Sequence, residues 1–228
     1  IIYNLIAETE NINTRLKKKL TVNNDKSSYS LELIYDKTPF LYFLPETERL
    51  FQSSPSIRRN LIDQFIYTSH NKYNKLVNRY NKLIQERSKI LINNNDDSWL
   101  NQLEKNISAD GLHIYSLRGD QLNILINNLN IYLKEFDLPF KIDTTLIDKF
   151  YTSNLQNEDY EETLKNNRKI DVLVGGCAIG PHKSDYMFSV NNNSFVSQLS
   201  TGQQKTIILL MYLSQCKYLS EVKFKQPI

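Results

Sequence analysis

The amino-acid sequence predicts an α/β protein in which strand-rich parts at the two ends of the chain enclose a helical insertion. Apolar residues alternate with polar ones within residues 15–43, as they do in half-buried strands. They recur three and four apart within residues 73–133, as they do on one face of a helix. Strand patterns return from residue 171 onward and are followed by one more helix.

Composition and charge exclude several classes of protein. The chain has 228 residues, of which 40 % are hydrophobic and 23 % charged, and this is the composition of a globular domain. The net charge of +3 is too small to imply a polyanionic partner, so a nucleic-acid surface would have to be local. The longest apolar stretches, such as residues 206–213, are shorter than the roughly 18 residues of a membrane span. With no secretory signal at its start, the chain is expected to be cytoplasmic.

Cysteine and histidine are too few and too scattered for a metal site. Cys177 and Cys216 are the two cysteines and form no CxxC motif, which argues against a disulfide framework or bound zinc. The three histidines lie far apart in the sequence. We therefore expect no metal ligands in this chain.

The first part of the chain, residues 1–50, is predicted to form antiparallel strands. Leu31, Leu33 and Tyr35 alternate with polar or oppositely facing residues, and residues 40–44 form a compact apolar run. Proline and serine then interrupt the pattern, and Ser56 is the expected N-cap of a first helix.

A helical arm is predicted for residues 51–168. Its first long helix has a heptad seam made of Tyr73, Leu76, Tyr80, Leu83, Arg87 and Ile90. An Asn- and Asp-rich turn follows, and Ser98 is the expected cap of a second helix. The apolar positions of that helix are Trp99, Leu103, Ile107, Ile114, Leu117, Leu125, Leu129 and Leu133. The two helices should fold back on each other as an antiparallel hairpin, ended by Pro139.

Two features of the arm are less regular. Gly111 and Gly119 each weaken the second helix by about 1 kcal/mol relative to alanine, which leaves open a kink or a break there. A further, weaker helix rich in Asp and Glu is predicted within residues 146–164.

Strands return in the last part of the chain, residues 169–228. Residues 171–178 are apolar and rich in strand formers, and residues 186–190 and 194–196 flank three asparagines as in a hairpin. A final helix is predicted for residues 203–219. Its core-facing stripe is Ile207, Leu210, Met211 and Ser214.

The sharpest short motif is Leu-Ser-Thr-Gly-Gln-Gln at residues 199–204, directly before that final helix. Free N–H groups and the positive dipole end make a helix N-terminus an anion site. Gly202 lets a ligand approach the backbone, and the Ser200 hydroxyl can bond a phosphate oxygen. The alternative, an ordinary capped helix start, is equally compatible with the residues alone.

A second glycine-rich segment, residues 175–184, imitates a phosphate-binding loop without being one. Pro181 and His182 separate Gly180 from Lys183, and the segment leads into a hairpin instead of a helix. Proline also lacks the N–H that such a loop needs. No other segment of the sequence fits GxxxxGK[ST], and no apolar run ends in Asp-Glu.

Basic residues cluster at the start of the arm. The candidates for contact with DNA phosphates are Arg58, Arg59, Lys72, Lys75, Arg79 and Lys82. The alternative, a solvated helix surface, is slightly favoured because acidic residues lie nearby. His182 and Asp185 are close enough in sequence to interact, but no nucleophile completes a triad, so no catalytic residue is assigned.

Together these motifs resemble the RecF family, in order and in spacing. The segments that carry the resemblance are residues 43–46, 49–51, 54–63, 180–185 and 200–205. RecF is the bacterial DNA replication and recombinational repair ATPase, related to SMC proteins and Rad50 among the ABC-type ATPases. The match covers nearly the whole chain from Phe43 onward, and residues 80–91 look like the family's helical arm.

The resemblance implies an ATPase lobe interrupted by a helical arm lobe. In such proteins ATP, with Mg²⁺, joins two identical subunits head to tail, and the family acts on DNA at gaps and junctions. It loads recombinase with RecO and RecR and supports the SOS response. The resemblance implies that Ser200, Thr201, Gly202 and Gln203 contact the ATP of the partner subunit, and that His182, Lys183 and Asp185 support the ATPase lobe.

The sequence also departs from the family pattern. The Walker A loop is expected upstream of Ile1, and Walker B and the D-loop beyond Ile228. We therefore expect an incomplete portion that binds neither ATP nor Mg²⁺ and is inactive alone. Lys183 stands where the family usually has arginine, and an ammonium does not replace a planar guanidinium without loss. The alternative function is a non-catalytic helical module that binds other proteins.

Overall fold

The computed structural model describes residues 5–12, 15–23, 25, 39–93, 97–191 and 194–224. The strands are β1 (Leu5–Ile12), β2 (Arg15–Val22), β3 (Ile142–Ile147), β4 (Asp185–Val190) and β5 (Ser194–Phe195). The helices are α1 (Pro55–Ser69), α2 (Tyr73–Ile92), α3 (Asp97–Glu135), α4 (Asn157–Asn166), α5 (Arg168–Val174) and α6 (Thr201–Glu221). Short 3₁₀ helices precede α1 and α6, at Pro45–Gln52 and Val196–Gln198.

The described strands form two antiparallel sheets. β1 pairs with β2, and the second sheet has the order β3-β4-β5. Ile142 lies opposite Val190 and Ile147 opposite Asp185, so β3 covers the whole length of β4. The hairpin predicted around residues 191–193 is confirmed by β4 and β5. Every second residue of β4, Tyr186, Phe188 and Val190, is buried, as the strand period requires.

The strands predicted for residues 31–35 and 40–44 differ in what the structure shows of them. The alternating residues Leu31, Leu33 and Tyr35 lie outside the described residues. Residues 40–44 have no regular secondary structure, contrary to the strand prediction. The backbone carbonyl of Tyr42 accepts hydrogen bonds from the Tyr212 hydroxyl and the Gln64 side chain, and Phe43 packs edge-on against the Tyr212 ring. This segment is therefore held by the α1 and α6 side chains and not by strand pairing.

The predicted antiparallel hairpin of long helices is confirmed by α2 and α3. Arg79 of α2 pairs with Asp110 of α3, and Arg87 pairs with Glu104, so residue numbers rise along one helix as they fall along the other. α3 is continuous over 39 residues, and neither glycine breaks it. A Cβ on Gly111 would lie 2.7 Å from the Tyr160 ring, so this glycine makes room for α4.

Four local predictions for the arm are corrected by tertiary contacts. α1 begins with Pro55 after Ser54, not after Ser56, because proline suits the first helical position. α3 begins at Asp97, so Ser98 lies inside it. Trp99 is 54 % exposed because Leu100 and Leu103 occupy the buried positions of that first turn.

The fourth correction concerns the weaker helix predicted for residues 146–164. Leu146 lies in β3, where it pairs with Tyr186, and the helix starts only at Asn157.

The strand predicted for residues 171–178 is wrong, because residues 168–174 form helix α5. Val172 and Val174 favour strands but are exposed on this helix. Asp171 decides the structure instead, since its carboxylate accepts hydrogen bonds from Arg87 and from the backbone N–H of Ala178. A charge pair across 84 positions thus overrides the local preference.

The core lies where α3 meets α6, α4 and α1. The predicted stripe of α6 is confirmed, since Ile207, Leu210, Met211 and Ser214 are all buried. Within the part of the chain that the structure describes, no helix is long and apolar enough to cross a bilayer. The division of the chain at residues 50 and 168 stays a prediction.

Candidate functional site

The motif at residues 199–204, hereafter the signature, forms the exposed N-terminus of α6. Ser200 is the N-cap: its hydroxyl oxygen accepts a hydrogen bond from the Gln203 backbone N–H at 3.3 Å. The Gln203 side chain in turn accepts from the Ser200 backbone N–H at 3.0 Å, which completes a capping box. Ser200, Thr201, Gly202 and Gln203 are all exposed.

The capping role leaves the signature able to bind a ligand. The Ser200 oxygen acts as an acceptor in the cap, so its proton stays available for donation to a phosphate oxygen. A Cβ placed on Gly202 would meet nothing within 4 Å, so the backbone at this helix start is open to approach. The two interpretations of the motif, cap and phosphate contact, are therefore compatible in one geometry.

Gln204 fixes the loop that precedes α6 to the start of the helix, a role that the motif alone did not assign to it. It is buried, and its amide donates to the carbonyls of Ser197 and Leu199 at 3.2 and 2.7 Å. Lys205 adds an ion pair with Glu48 at 2.8 Å. The sequence could have indicated that Gln204 is buried, because it lies three and four positions before Ile207 and Ile208 on the buried stripe of the helix. The loop before α6 is thereby held in place.

His182 of the segment 180–185 is a half-buried hydrogen-bonding residue. Its Nε2 lies 3.0 Å from the Cys177 carbonyl, so this nitrogen carries the proton, and Nδ1 accepts from the Tyr80 hydroxyl at 2.9 Å. Burial lowers the pKa of His182 to about 4, against the hydrogen bond to Cys177, and the nearby cation of Lys183 lowers it further. The imidazole is thus neutral at pH 7 and ties α2 to this segment.

Asp185 and Arg58 form an ion pair instead of separate sites. The guanidinium donates two hydrogen bonds to the carboxylate, at 2.7 and 2.8 Å, across 127 positions of sequence. Burial works to raise the pKa of Asp185, but the hydrogen bonds from Arg58 and from the Tyr186 backbone N–H, together with the charges of Arg58 and Arg59, outweigh it and the pKa is lowered. The Arg58 side chain is only 13 % exposed. It is therefore committed to the interior and is poorly placed to contact DNA.

Arg118 makes a second internal link that the sequence did not indicate. It donates two hydrogen bonds to Asp63, both at 2.8 Å, and a third to the Pro181 carbonyl at 2.6 Å. The Tyr73 hydroxyl also donates to Asp63 at 2.6 Å. Helices α1, α2 and α3 therefore meet the segment 180–185 through one network. The pair of Arg118 and Asp63 is 55 positions apart in sequence, so no local pattern predicts it.

The remaining basic candidates lie on the exposed side of α2. Lys72, Lys75 and Lys82 are exposed, and Arg79 is 66 % exposed while pairing with Asp110. Arg59 is half-buried and donates to the Ser184 carbonyl at 2.6 Å. The structure thus separates the six candidates into an exposed helix face and two arginines that contact the segment 180–185. Lys183 of that segment is exposed.

The neutral His182 makes stability depend on pH. An unfolded histidine has a pKa of about 6.5, whereas the folded pKa is lowered to about 4. Between these values the unfolded chain binds a proton that the folded chain does not, so acidification favours unfolding by at most ~1.4 kcal/mol per pH unit. We expect urea unfolding curves from pH 7 to pH 4 to show this loss. His182→Gln should lose this part of the pH dependence.

His113, which is exposed on α3, provides the matched control. His113→Gln is expected to keep the pH dependence of the parent chain. If His182→Gln also kept it, the neutral state of His182 would not be the cause.

Among the residues that the structure describes, no group of three or more His, Cys, Asp or Glu side chains can hold a metal ion. The open helix start at Ser200 and Gly202 has the geometry of an anion site, because its backbone and the Ser200 hydroxyl are accessible to a phosphate group.

The curated relatives of this chain are RecF proteins. No family model matches the chain. It is 27 % identical to the DNA replication and repair protein RecF of Rickettsia massiliae over 223 residues, which cover 94 % of this chain and 59 % of that protein. It is 28 % identical to RecF of Rickettsia canadensis, with the same coverage, and 25 % identical to RecF of Rickettsia bellii. The chain thus spans about 59 % of the first of these relatives.

The fold is also similar to that of solved structures. A structure of the recombination mediator protein RecF-ATP in the RecFOR pathway superposes with a TM-score of 0.79 at 23 % identity, over 93 % of this chain and 59 % of that one. A structure with ATPrS superposes with a TM-score of 0.78. The resemblance drawn from the motifs is therefore confirmed: over nearly its whole length this chain is similar in sequence to RecF, and it has the fold of the matching part of RecF.

Proposed function

We propose that this chain is the signature-bearing portion of a RecF-type DNA replication and recombinational repair protein. The observation that carries the proposal is the exposed, capped start of α6 at Ser200, in a chain that is similar to RecF in sequence and fold. The protein that contains it would bind ATP with Mg²⁺, dimerise on ATP and act on DNA gaps or junctions in the cytoplasm with RecO and RecR.

The role of the signature follows from its chemistry. A helix N-terminus carries a partial positive charge, and here it adds the Ser200 hydroxyl and an open backbone at Gly202. A phosphate bound only at such an exposed site keeps most of its hydration, so useful affinity requires a second cradle. We assign that cradle to the Walker A loop of a partner subunit, with Thr201 and Gln203 shaping the helix start.

The proposed DNA contacts lie on the exposed face of α2. Lys72, Lys75, Arg79 and Lys82 follow one another at helical spacing on that face. Flexible cations of this kind contact backbone phosphates and not base edges. The internal ion pair of Arg58 removes that residue from the proposed DNA surface. His182 and Asp185 support the fold of the ATPase lobe by joining it to the arm.

The test separates the phosphate contact from the helix cap. In a chimera, this segment would replace the matching part of a Rickettsia RecF, and Ser200 would be changed to aspartate. Aspartate caps a helix about as well as serine, but its charge repels a phosphate. We expect Ser200→Asp to leave the melting temperature unchanged and to abolish the ATP-dependent dimer in sedimentation velocity.

The control places a bulky side chain at the two ends of the same helix. Ser200→Arg is expected to prevent dimerisation, whereas Ser220→Arg, at the exposed far end of α6, should leave it intact. Dimers of Ser200→Asp as abundant as those of the parent chimera would show that Ser200 only caps α6. The trans contact would then be wrong, and a helical module that binds other proteins would be the remaining function.

A further inference from the structure

Two cations beside the segment 180–185 have no carboxylate partner among the described residues. Asp185 is bound by Arg58, and Asp63 is bound by Arg118, each through two hydrogen bonds. Arg59 lies against the same segment but donates only to the Ser184 carbonyl, at 2.6 Å. The neighbouring pairs cancel in charge, so Arg59 and Lys183 are left as two uncompensated positive charges.

The surroundings of Arg59 make this arrangement costly without an anion. Burial lowers the pKa of Arg59, and the nearby positive charge of Arg118 lowers it further. Asp185 and Asp63 act in the opposite direction but are already held by other guanidiniums. A guanidinium has five N–H donors, and within the described part of the chain one of them donates, to the Ser184 carbonyl. The group is thus half-buried, and four of its donors have no partner among the residues that the structure describes.

Lys183 lies next to this guanidinium on a backbone that is fixed at both sides. The Lys183 backbone N–H donates to the Gly180 carbonyl at 2.8 Å, and the buried Ser184 hydroxyl donates to the Pro181 carbonyl at 2.9 Å. The Lys183 side chain is nevertheless exposed. The Arg59 guanidinium is bound to the backbone carbonyl of Ser184, the residue that follows Lys183, so the two cations belong to neighbouring positions of this segment.

We infer that Arg59 and Lys183 form a phosphate-binding site. Arginine offers two parallel donors that match two phosphate oxygens, and lysine adds a point charge. The phosphate belongs to a DNA backbone or to a free nucleotide, and the two sources share this chemistry. With DNA as the source, the site extends the proposed DNA contacts and rests on that part of the proposed function; the phosphate site itself does not depend on the signature.

The experiment uses the full 228-residue chain and two phosphate probes. A labelled DNA duplex is titrated at several salt concentrations, and inorganic pyrophosphate is titrated with phosphorus NMR as the readout. The test variant is Arg59→Gln with Lys183→Gln. The control is Lys105→Gln, an exposed lysine on α3 that lies roughly 20 Å from Arg118 along the helix.

The double variant is expected to flatten the slope of log K against log salt by about 0.9, because one DNA phosphate is no longer neutralised. Lys105→Gln should leave the slope at its parent value. Arg59→Lys can still donate to Ser184 and keeps the charge, so it is expected to preserve the slope while weakening binding. Melting curves verify that each variant is folded.

The outcomes separate the sources. A flattened DNA slope with unchanged pyrophosphate binding supports a DNA backbone phosphate, and a tenfold loss of pyrophosphate affinity alone supports a nucleotide phosphate. If the folded double variant binds both probes as the parent does, the site is overturned. The same holds if the parent binds neither probe. These results do not affect the Ser200 test, whose readout is the ATP-dependent dimer.

Discussion

Replacing Arg87 by methionine is expected to lower the free energy of unfolding by about 3–5 kcal/mol, the usual cost of breaking a buried ion pair. Arg87 is fully buried, and it donates to Glu104 at 2.9 Å, to Asp171 at 2.6 Å and to the Leu164 carbonyl at 2.7 Å. Burial works to lower the pKa of Arg87, but the hydrogen bonds to Asp171 and Glu104 outweigh it and the pKa is raised. Without the guanidinium, the buried carboxylate of Asp171 would lose its ion-pair partner, whereas Glu104 would keep Arg168.

Urea unfolding of the variant chains measures this effect. Lys89→Met, on the exposed side of α2, provides the matched control and should change stability by less than about 0.5 kcal/mol. Adding Asp171→Asn to Arg87→Met is expected to restore part of the loss, because it removes the buried carboxylate that has lost its guanidinium. Equal stabilities of Arg87→Met and Lys89→Met would show that the network is not a net stabiliser of the folded arm.

Changing Gly180 to alanine is expected to destabilise the chain by about 2–4 kcal/mol, from backbone strain together with steric overlap. Gly180 has a φ of +121°, which side-chain-bearing residues rarely adopt. Its added Cβ would lie 2.3 Å from the hydroxyl oxygens of both Tyr160 and Tyr80. These hydroxyls lie 3.3 Å apart, and Tyr80 also donates to His182. The substitution would thus displace Tyr80 and Tyr160 of the arm from the segment 180–185.

Two further variants identify the cause of the loss. Gly119→Ala is the control: no atom lies within 4 Å of its added Cβ, and alanine should stabilise this helical position by up to about 1 kcal/mol. Tyr80→Phe with Tyr160→Phe removes both hydroxyl oxygens and should make Gly180→Ala less costly than it is in the parent chain. If Gly180→Ala unfolded at the same urea concentration as the parent, the close approach would not constrain the fold.

Local patterns predicted the helices well because helices bury one face at a fixed period. The seam of α2 and the stripe of α6 are regular in sequence. The stripe of α6 is buried, and so is the seam of α2 except at Leu83 and Ile90, which are half-buried. The signature was also readable, since a capping serine, an open glycine and a striped helix are neighbours in the chain. The same local logic failed for α5, where strand-forming valines are exposed on a helix that Asp171 holds to Arg87.

The fate of the basic and acidic candidates required the structure. Arg58 and Arg59 are adjacent in sequence but have different partners. Arg58 forms an ion pair with Asp185, whereas Arg59 has no carboxylate partner among the described residues and donates to the Ser184 carbonyl. His182 is neutral because it is buried against Tyr80, which lies 102 positions away. Lys183, its neighbour, is exposed.

The sequence by itself determined the helical arm, the position of the signature and the resemblance to RecF, because each depends on residues that are close together or on motifs in a fixed order. Only the tertiary structure decided which charges are paired, that His182 is neutral, and which basic side chains lie against the segment 180–185. The physical reason is that burial and ion pairing are set by partners that the fold brings together across tens of residues, as with Arg118 and Asp63.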